Sequence, residues 1–190
     1  VQLIELGVHR AGVTRKNTSQ TLAASTRKGF VHESPRAQTI EWFTPPEVFQ
    51  ALGLHFDLDV CSPGAGKSCV PADRHYTIHD DGLTSPWYGT VWCNPPYGNA
   101  TRIWLRKLAE HGDGIALVFN RTDTAWFQET AATADVICFT KGRIPFIDGR
   151  TNRPAGSPGT GSALIGYGPT AQQAIQQSGL GLCFQPAPLQ

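Results

Sequence analysis

From Gln38 onward, short apolar runs alternate with segments of helical period, and this alternation limits the fold more than any other feature of the chain. Residues 56–61, 90–93, 115–119, 136–139 and 162–167 read as strands. A helix is predicted to start at Thr44-Pro45-Pro46-Glu47, with Thr44 as N-cap, Pro45 at the first helical position and Glu47 closing a capping box ahead of Val48, Phe49 and Leu52. Trp104/Leu108 spacing marks a second helix over 100–111, closed by Gly112. Residues 124–131 give a short third helix and 170–178 a last one, with the tail after Pro186 expected to be disordered. Residues 143–147 are expected to pair with 162–167 as an antiparallel hairpin around a Gly/Pro-rich loop. Strands alternating with helices predict an α/β domain built on a mixed, mostly parallel sheet.

The tetrapeptide Asn94-Pro95-Pro96-Tyr97 directly follows the apolar run 90–93. As plain structure it is a Pro-Pro turn after a strand, capped by an amphipathic tyrosine. It also fits the chemistry of a planar exocyclic amine, whose lone pair is delocalised into its ring and offers no electron density above the ring plane. If the Asn94 side-chain oxygen and the Pro95 carbonyl each accept one N–H, the nitrogen becomes pyramidal and its lone pair turns toward an incoming methyl group. That stabilisation is aimed at the transition state. Each proline fixes its own φ, and Pro96 keeps Pro95 extended, so the Pro95 carbonyl direction is set in advance. Tyr97 supplies a ring face for a base, worth roughly 1–3 kcal/mol per stacked pair. The same tetrapeptide serves enzymes acting on DNA bases, RNA bases and a protein glutamine amide, so it identifies the amine better than the polymer.

At 190 residues and 40% hydrophobic, the chain suits one domain with a sizeable core. No stretch approaches the roughly 20 apolar residues of a membrane span, and the amino terminus lacks a secretory apolar segment, so the expected location is the cytoplasm. Five cysteines without a CxxC pair argue for reduced thiols. Cys61, Cys69, His75, His79 and Cys93 match no familiar zinc spacing, and no metal is expected. The net charge is only +1, yet residues 1–40 carry six Lys/Arg against two Glu, a local +4 that leaves −3 for the rest. Residues 1–37 read as a basic, disordered tail and 38–185 as the folded domain. Lys141, Arg143, Arg150 and Arg153 form a second basic cluster suited to a phosphate backbone; arginines there can equally read guanine edges.

Six segments in order carry a family resemblance: residues 42–47, 57–61, Asp81-Gly82-Leu83 with Trp87, Asn94-Pro95-Pro96-Tyr97, 121–126 and 142–146. Over residues 40–168 the chain resembles the phage-type DNA N6-adenine methyltransferases, small Rossmann-like enzymes that use S-adenosylmethionine. The resemblance implies a class I methyltransferase fold, a seven-stranded sheet with an antiparallel hairpin at one side, and a cofactor lying across the carboxyl ends of the first strands. It assigns catalysis to Asn94, Pro95, Pro96 and Tyr97. It assigns cofactor contacts to Thr44, Pro45, Asp59, Cys61, Ser62 and Asp81, with Asp80 as fallback for Asp81. DNA, duplex or single-stranded, is the implied partner, contacted by Arg143, Arg150 and Arg153. No feature calls for an obligate protein partner, and methyl transfer from a sulfonium needs no metal. One departure stands out: no acidic residue clearly ends a second strand to hold the ribose hydroxyls, Asp73 being the nearest candidate. Two alternatives stay open, an RNA base-amine methyltransferase and a non-catalytic DNA-binding protein retaining the fold.

Overall fold

The computed structural model describes residues 42–155 and 158–187. The expected tail, 1–37, and the domain start at Gln38 lie outside the described residues. The main sheet has seven strands in the order β10-β6-β9-β5-β4-β2-β3. In chain order these are β2 (Phe56–Asp59), β3 (Ala72–His75), β4 (Val91–Cys93), β5 (Gly114–Phe119), β6 (Val136–Thr140), β9 (Ser162–Tyr167) and β10 (Gly181–Phe184). A separate three-stranded sheet joins β1 (Trp42–Phe43), β7 (Ile147–Asp148) and β8 (Arg153–Pro154) in the order β1-β7-β8.

Side-chain alternation divides the core between the two faces of the main sheet, as period-2 geometry requires. From β5, Ala116 and Val118 join one cluster, packing with Trp104, Leu105 and Leu108 of α2 (Thr101–His111) and Phe127 of α3 (Ala125–Ala131). Ile115 and Leu117 face the other way, toward Val48, Phe49 and Leu52 of α1 (Pro46–Leu52) and Ala171 and Ile175 of α4 (Pro169–Gln177). Trp92 anchors this second face, its ring 4.8 Å from Phe49 and 5.4 Å from Phe56. A fully buried aromatic of this size is worth ~3 kcal/mol of apolar burial. Gly112 ends α2 in the left-handed region at φ 75°, where its N–H reaches the Leu108 carbonyl, as the spacing predicted.

Several expectations are corrected. Helix α1 starts at Pro46, with Pro45 as its N-cap and no side-chain cap. A residue preceding proline is kept out of the helical region, and Pro45 sits at ψ 150°. Thr44 is therefore not the cap, and Glu47 stands one position too early for a capping box. The polar stretch after β2 contains an edge strand, β3, paired parallel to β2. The sheet is mixed, with β2, β3, β4, β5 and β6 running one way and β9 and β10 the other: β9 enters antiparallel between β5 and β6, and β10 pairs antiparallel with β6. The expected hairpin of 143–147 with 162–167 does not form. Ile144 and Phe146 are buried, but Pro145 has no ladder donor and the Phe146 N–H turns back onto Ile144. The antiparallel hairpin is instead β7–β8, turned at Asn152 with φ 52°. The last element is strand β10, not a helix; of the tail expected after Pro186, residues 188–190 lie outside the described residues.

The chain runs from β2 outward to β3, then crosses back to β4 on the other side of β2. Such a reversal opens a crevice beyond the carboxyl ends of the two central strands, where ligands bind in open α/β sheets. β2 ends at Asp59, and β4 runs directly into Asn94.

Candidate active site

Asn94 is half-buried, and its amide is held by its nitrogen. Nδ2 donates to the Trp42 carbonyl at 2.9 Å and to the Thr44 hydroxyl at 3.4 Å. Oδ1 accepts the Tyr97 hydroxyl at 3.1 Å. Among the described residues the carbonyl of buried Pro95 accepts no hydrogen bond, whereas that of exposed Pro96 takes the Thr101 hydroxyl at 3.0 Å, fastening the tetrapeptide to the start of α2. Two acceptor oxygens, Oδ1 and the Pro95 carbonyl, thus sit one residue apart at the end of β4.

The Tyr97 ring stacks on Phe119 at 4.1 Å and 14°, and burial pushes its phenol well above the usual range, so it is an O–H donor across neutral pH. Phe119 meets Phe146 edge-on at 6.0 Å, and Phe146 meets Trp42 at 6.2 Å. An aromatic row therefore runs from the tetrapeptide back to β1, the strand whose carbonyl holds Asn94. Phe119 was not singled out from sequence; its only signal was an aromatic ending the apolar run 115–119.

The structure brings Asp59, Cys61 and Ser62 together where β2 breaks. Asp59 is 2% exposed, and its oxygens receive the Ser68 hydroxyl at 3.1 Å and the Cys61 N–H at 3.4 Å, with His75 Nδ1 at 3.3 Å. Burial raises its pKa above the ordinary value, partly offset by Ser62, by His75 and by the Cys61 N–H. The Ser62 hydroxyl meets the same His75 nitrogen at 3.1 Å and accepts the Gly64 N–H. The Cys61 and Cys93 sulfurs lie 4.0 Å apart, and burial pushes the Cys61 thiol up. The strand beside β2 ends in His75, not in an acid; Asp73 sits mid-strand, exposed and paired with His55 at 2.8 Å.

Asp81 lies in the loop that crosses over β2. It holds φ 46°, a left-handed conformation that aspartate tolerates, and its Oδ1 accepts the Leu83 N–H. Gly82 must be glycine, since a Cβ there would strike the Val60 carbonyl and the Trp104 ring. Lys107, reaching across from α2, ties this loop down with bonds to the carbonyls of Gly82 (3.0 Å), Leu83 (2.8 Å) and Ser85 (2.6 Å), and it lies over the Trp87 ring. Asp80, the fallback, is spent on the Thr77 N–H and hydroxyl, which lower its pKa.

The three arginines differ in engagement. Arg143 bonds the Pro158 carbonyl, and Arg150 makes a two-point pair with Asp148 at 3.4 and 3.2 Å. Arg153 is exposed on β8 and has no partner among the described residues. Among the described residues no three of His, Cys, Asp or Glu gather as a metal site, and no helix is long and apolar enough to cross a membrane.

These features define an α/β protein with two acceptor oxygens, Asn94 Oδ1 and the Pro95 carbonyl, at the end of a strand beside the topological switch point of its sheet. Residues 32–176 match the family described as DNA N-6-adenine-methyltransferase (Dam), and the chain belongs to that family of DNA adenine-N6 methyltransferases. A DNA N-6-adenine-methyltransferase of Haemophilus phage HP1 is 29% identical over 140 residues, spanning 68% of this chain and 79% of the phage protein. No solved structure matches the chain.

Proposed function

We propose that the chain methylates N6 of an adenine extruded from duplex DNA, or taken from a single strand, with S-adenosylmethionine as donor on a class I methyltransferase fold. The observation that carries this reading is the Asn94 amide, tethered by its nitrogen so that Oδ1, beside the Pro95 carbonyl, is the group offered to the crevice. The donor set suits that cofactor: the crevice lies at a topological switch point, and Asp81 keeps one carboxylate oxygen without a bond among the described residues, an acceptor for an exocyclic amine. We assign the cofactor's remaining contacts to Pro45, Asp59, Cys61 and Ser62. When bound, S-adenosylmethionine supplies a methyl group already activated by the sulfonium charge.

Asn94 and Pro95 accept the two N6 hydrogens and hold the nitrogen pyramidal, Tyr97 and Phe119 stack against the base, and Pro96 fixes the Pro95 carbonyl direction. Extruding the base costs a few kcal/mol, and stacking on the aromatic row offsets it. The amine proton leaves to solvent. Arg143, Arg150 and Arg153 contact the DNA from the β7–β8 arm and its loop, acting in the cytoplasm where the substrate DNA lies.

The test is transfer of radiolabelled methyl from S-adenosylmethionine to unmethylated DNA, with RNA in parallel and Asn94→Ala as control. Label recovered as N6-methyladenine from DNA and reduced about 10²–10³-fold in the variant is the expected result. Label in RNA alone, or undiminished label in the variant, overturns the assignment.

A further inference from the structure

The side-chain amide of asparagine is nearly symmetric in shape, so a rotation that exchanges Oδ1 and Nδ2 costs little sterically, and its sense is set by the hydrogen bonds around it. For Asn94 that exchange is decisive. With Oδ1 toward the crevice the residue accepts an amine N–H; with Nδ2 there it would point hydrogens at hydrogens and repel the same amine. A neighbouring group must therefore hold the nitrogen.

We infer that Thr44 is a positioning residue for Asn94, acting with the Trp42 carbonyl to keep the amide nitrogen turned away from the substrate. The inference rests on the methyltransferase reading above. The Trp42 carbonyl can only accept, so its 2.9 Å contact fixes which amide atom faces it. Thr44 engages the same nitrogen at 3.4 Å and resists rotation of the amide. Thr44 is 4% exposed, and among the described residues its hydroxyl has no other partner. Among the described residues this buried hydroxyl is satisfied through Asn94, and the cap position of the helix that follows belongs to Pro45.

The anchoring strand is itself held. Trp42 and Phe43 pair with Asp148 and Ile147 of β7, and the Trp42 ring packs on Phe146. The strand that orients the catalytic amide is thus continuous, through one ladder, with the β7–β8 arm carrying Arg150 and Arg153. This role differs from the cofactor contact that the family resemblance implies for Thr44, and the two make opposite kinetic predictions.

Thr44→Val and Thr44→Ser in the full chain separate them. The measurements are kcat on DNA, the dissociation constant of S-adenosylmethionine by calorimetry, and solvent exchange of the Asn94 side-chain amide in protein labelled with ¹⁵N-asparagine. Thr44→Val should lower kcat by about three- to tenfold, the value of one modest hydrogen bond, and speed exchange at Asn94 Nδ2 while cofactor affinity stays unchanged. Thr44→Ser should restore both. Unchanged kcat and exchange in Thr44→Val overturn the inference, as does weakened cofactor binding at unchanged kcat, or a serine variant no better than valine. Wild-type protein inactive on DNA would instead remove the methyltransferase reading on which the inference stands, so the two failures are told apart.

Discussion

The Tyr97 hydroxyl donates to Asn94 Oδ1 at 3.1 Å, the oxygen proposed to take the substrate amine. Tyr97 therefore has two roles that oppose each other. Its ring, stacked on Phe119, extends the aromatic row proposed for a base, while its hydroxyl takes up one of the two lone pairs of Oδ1 and so competes with N6.

Substitution separates those roles. Tyr97→Phe keeps the stack on Phe119 and removes the competing donor, so KM for DNA should fall by about two- to tenfold, the value of one net hydrogen bond of ~0.5–1.5 kcal/mol. Tyr97→Ala should raise it, through loss of ~1–3 kcal/mol of stacking. Steady-state kinetics on a single-site duplex reads both, and a phenylalanine variant with weakened DNA binding would show that the hydroxyl serves the substrate.

Asp59 makes stability depend on pH in a definite direction. Burial raises its folded pKa above the ordinary 3.8, so the folded state holds this proton more tightly than the unfolded chain. The resulting stabilisation is complete below 3.8 and is lost as pH rises through the folded value. Asp59→Asn, neutral throughout, lacks that dependence. Urea unfolding across the acid range should show wild type gaining on the variant as pH falls, and parallel curves would exclude the effect.

Lys107 holds the Asp81 loop by three carbonyl contacts that a planar guanidinium cannot reproduce. Lys107→Met should cost about 1.5–3 kcal/mol of stability, the worth of a charged hydrogen bond, and raise KM for S-adenosylmethionine more than KM for DNA. Thermal melts and kinetics on the same preparation check it; equal rises in the two KM values would detach the loop from the cofactor.

Arg153 is exposed and has no side-chain partner among the described residues, whereas Arg150 is committed to Asp148 and Arg143 to Pro158. Arg153→Ala should weaken DNA binding more than Arg150→Ala and reduce the slope of log affinity against log salt by about one. Titrations at several salt concentrations measure that slope. Equal losses for the two variants would mean that DNA breaks the Arg150–Asp148 pair on binding.

Much of this protein was legible in local pattern. Strands 56–59, 91–93, 114–119 and 136–140 and helices 101–111 and 125–131 follow from apolar periodicity and a glycine cap, properties that neighbouring residues settle among themselves. Asn94-Pro95-Pro96-Tyr97 was legible as a candidate site because consecutive prolines set backbone direction without help from the rest of the chain. Where local rules compete, sequence reasoning failed: Pro45 satisfied one helix-start rule while Pro46 imposed another, and the apolar alternation of Ile144 and Phe146 resembled a strand although only their side chains were buried.

Long-range pairing decided the rest. Insertion of β9 between β5 and β6, the edge strands β3 and β10, and the small sheet built on β1 depend on partners distant in the chain, whose hydrogen bonds leave no local periodicity. The same holds at the centre of the site. Which atom of Asn94 faces the crevice depends on a carbonyl 52 residues earlier, because an amide carries no preference of its own and takes its orientation from whatever the fold brings to it.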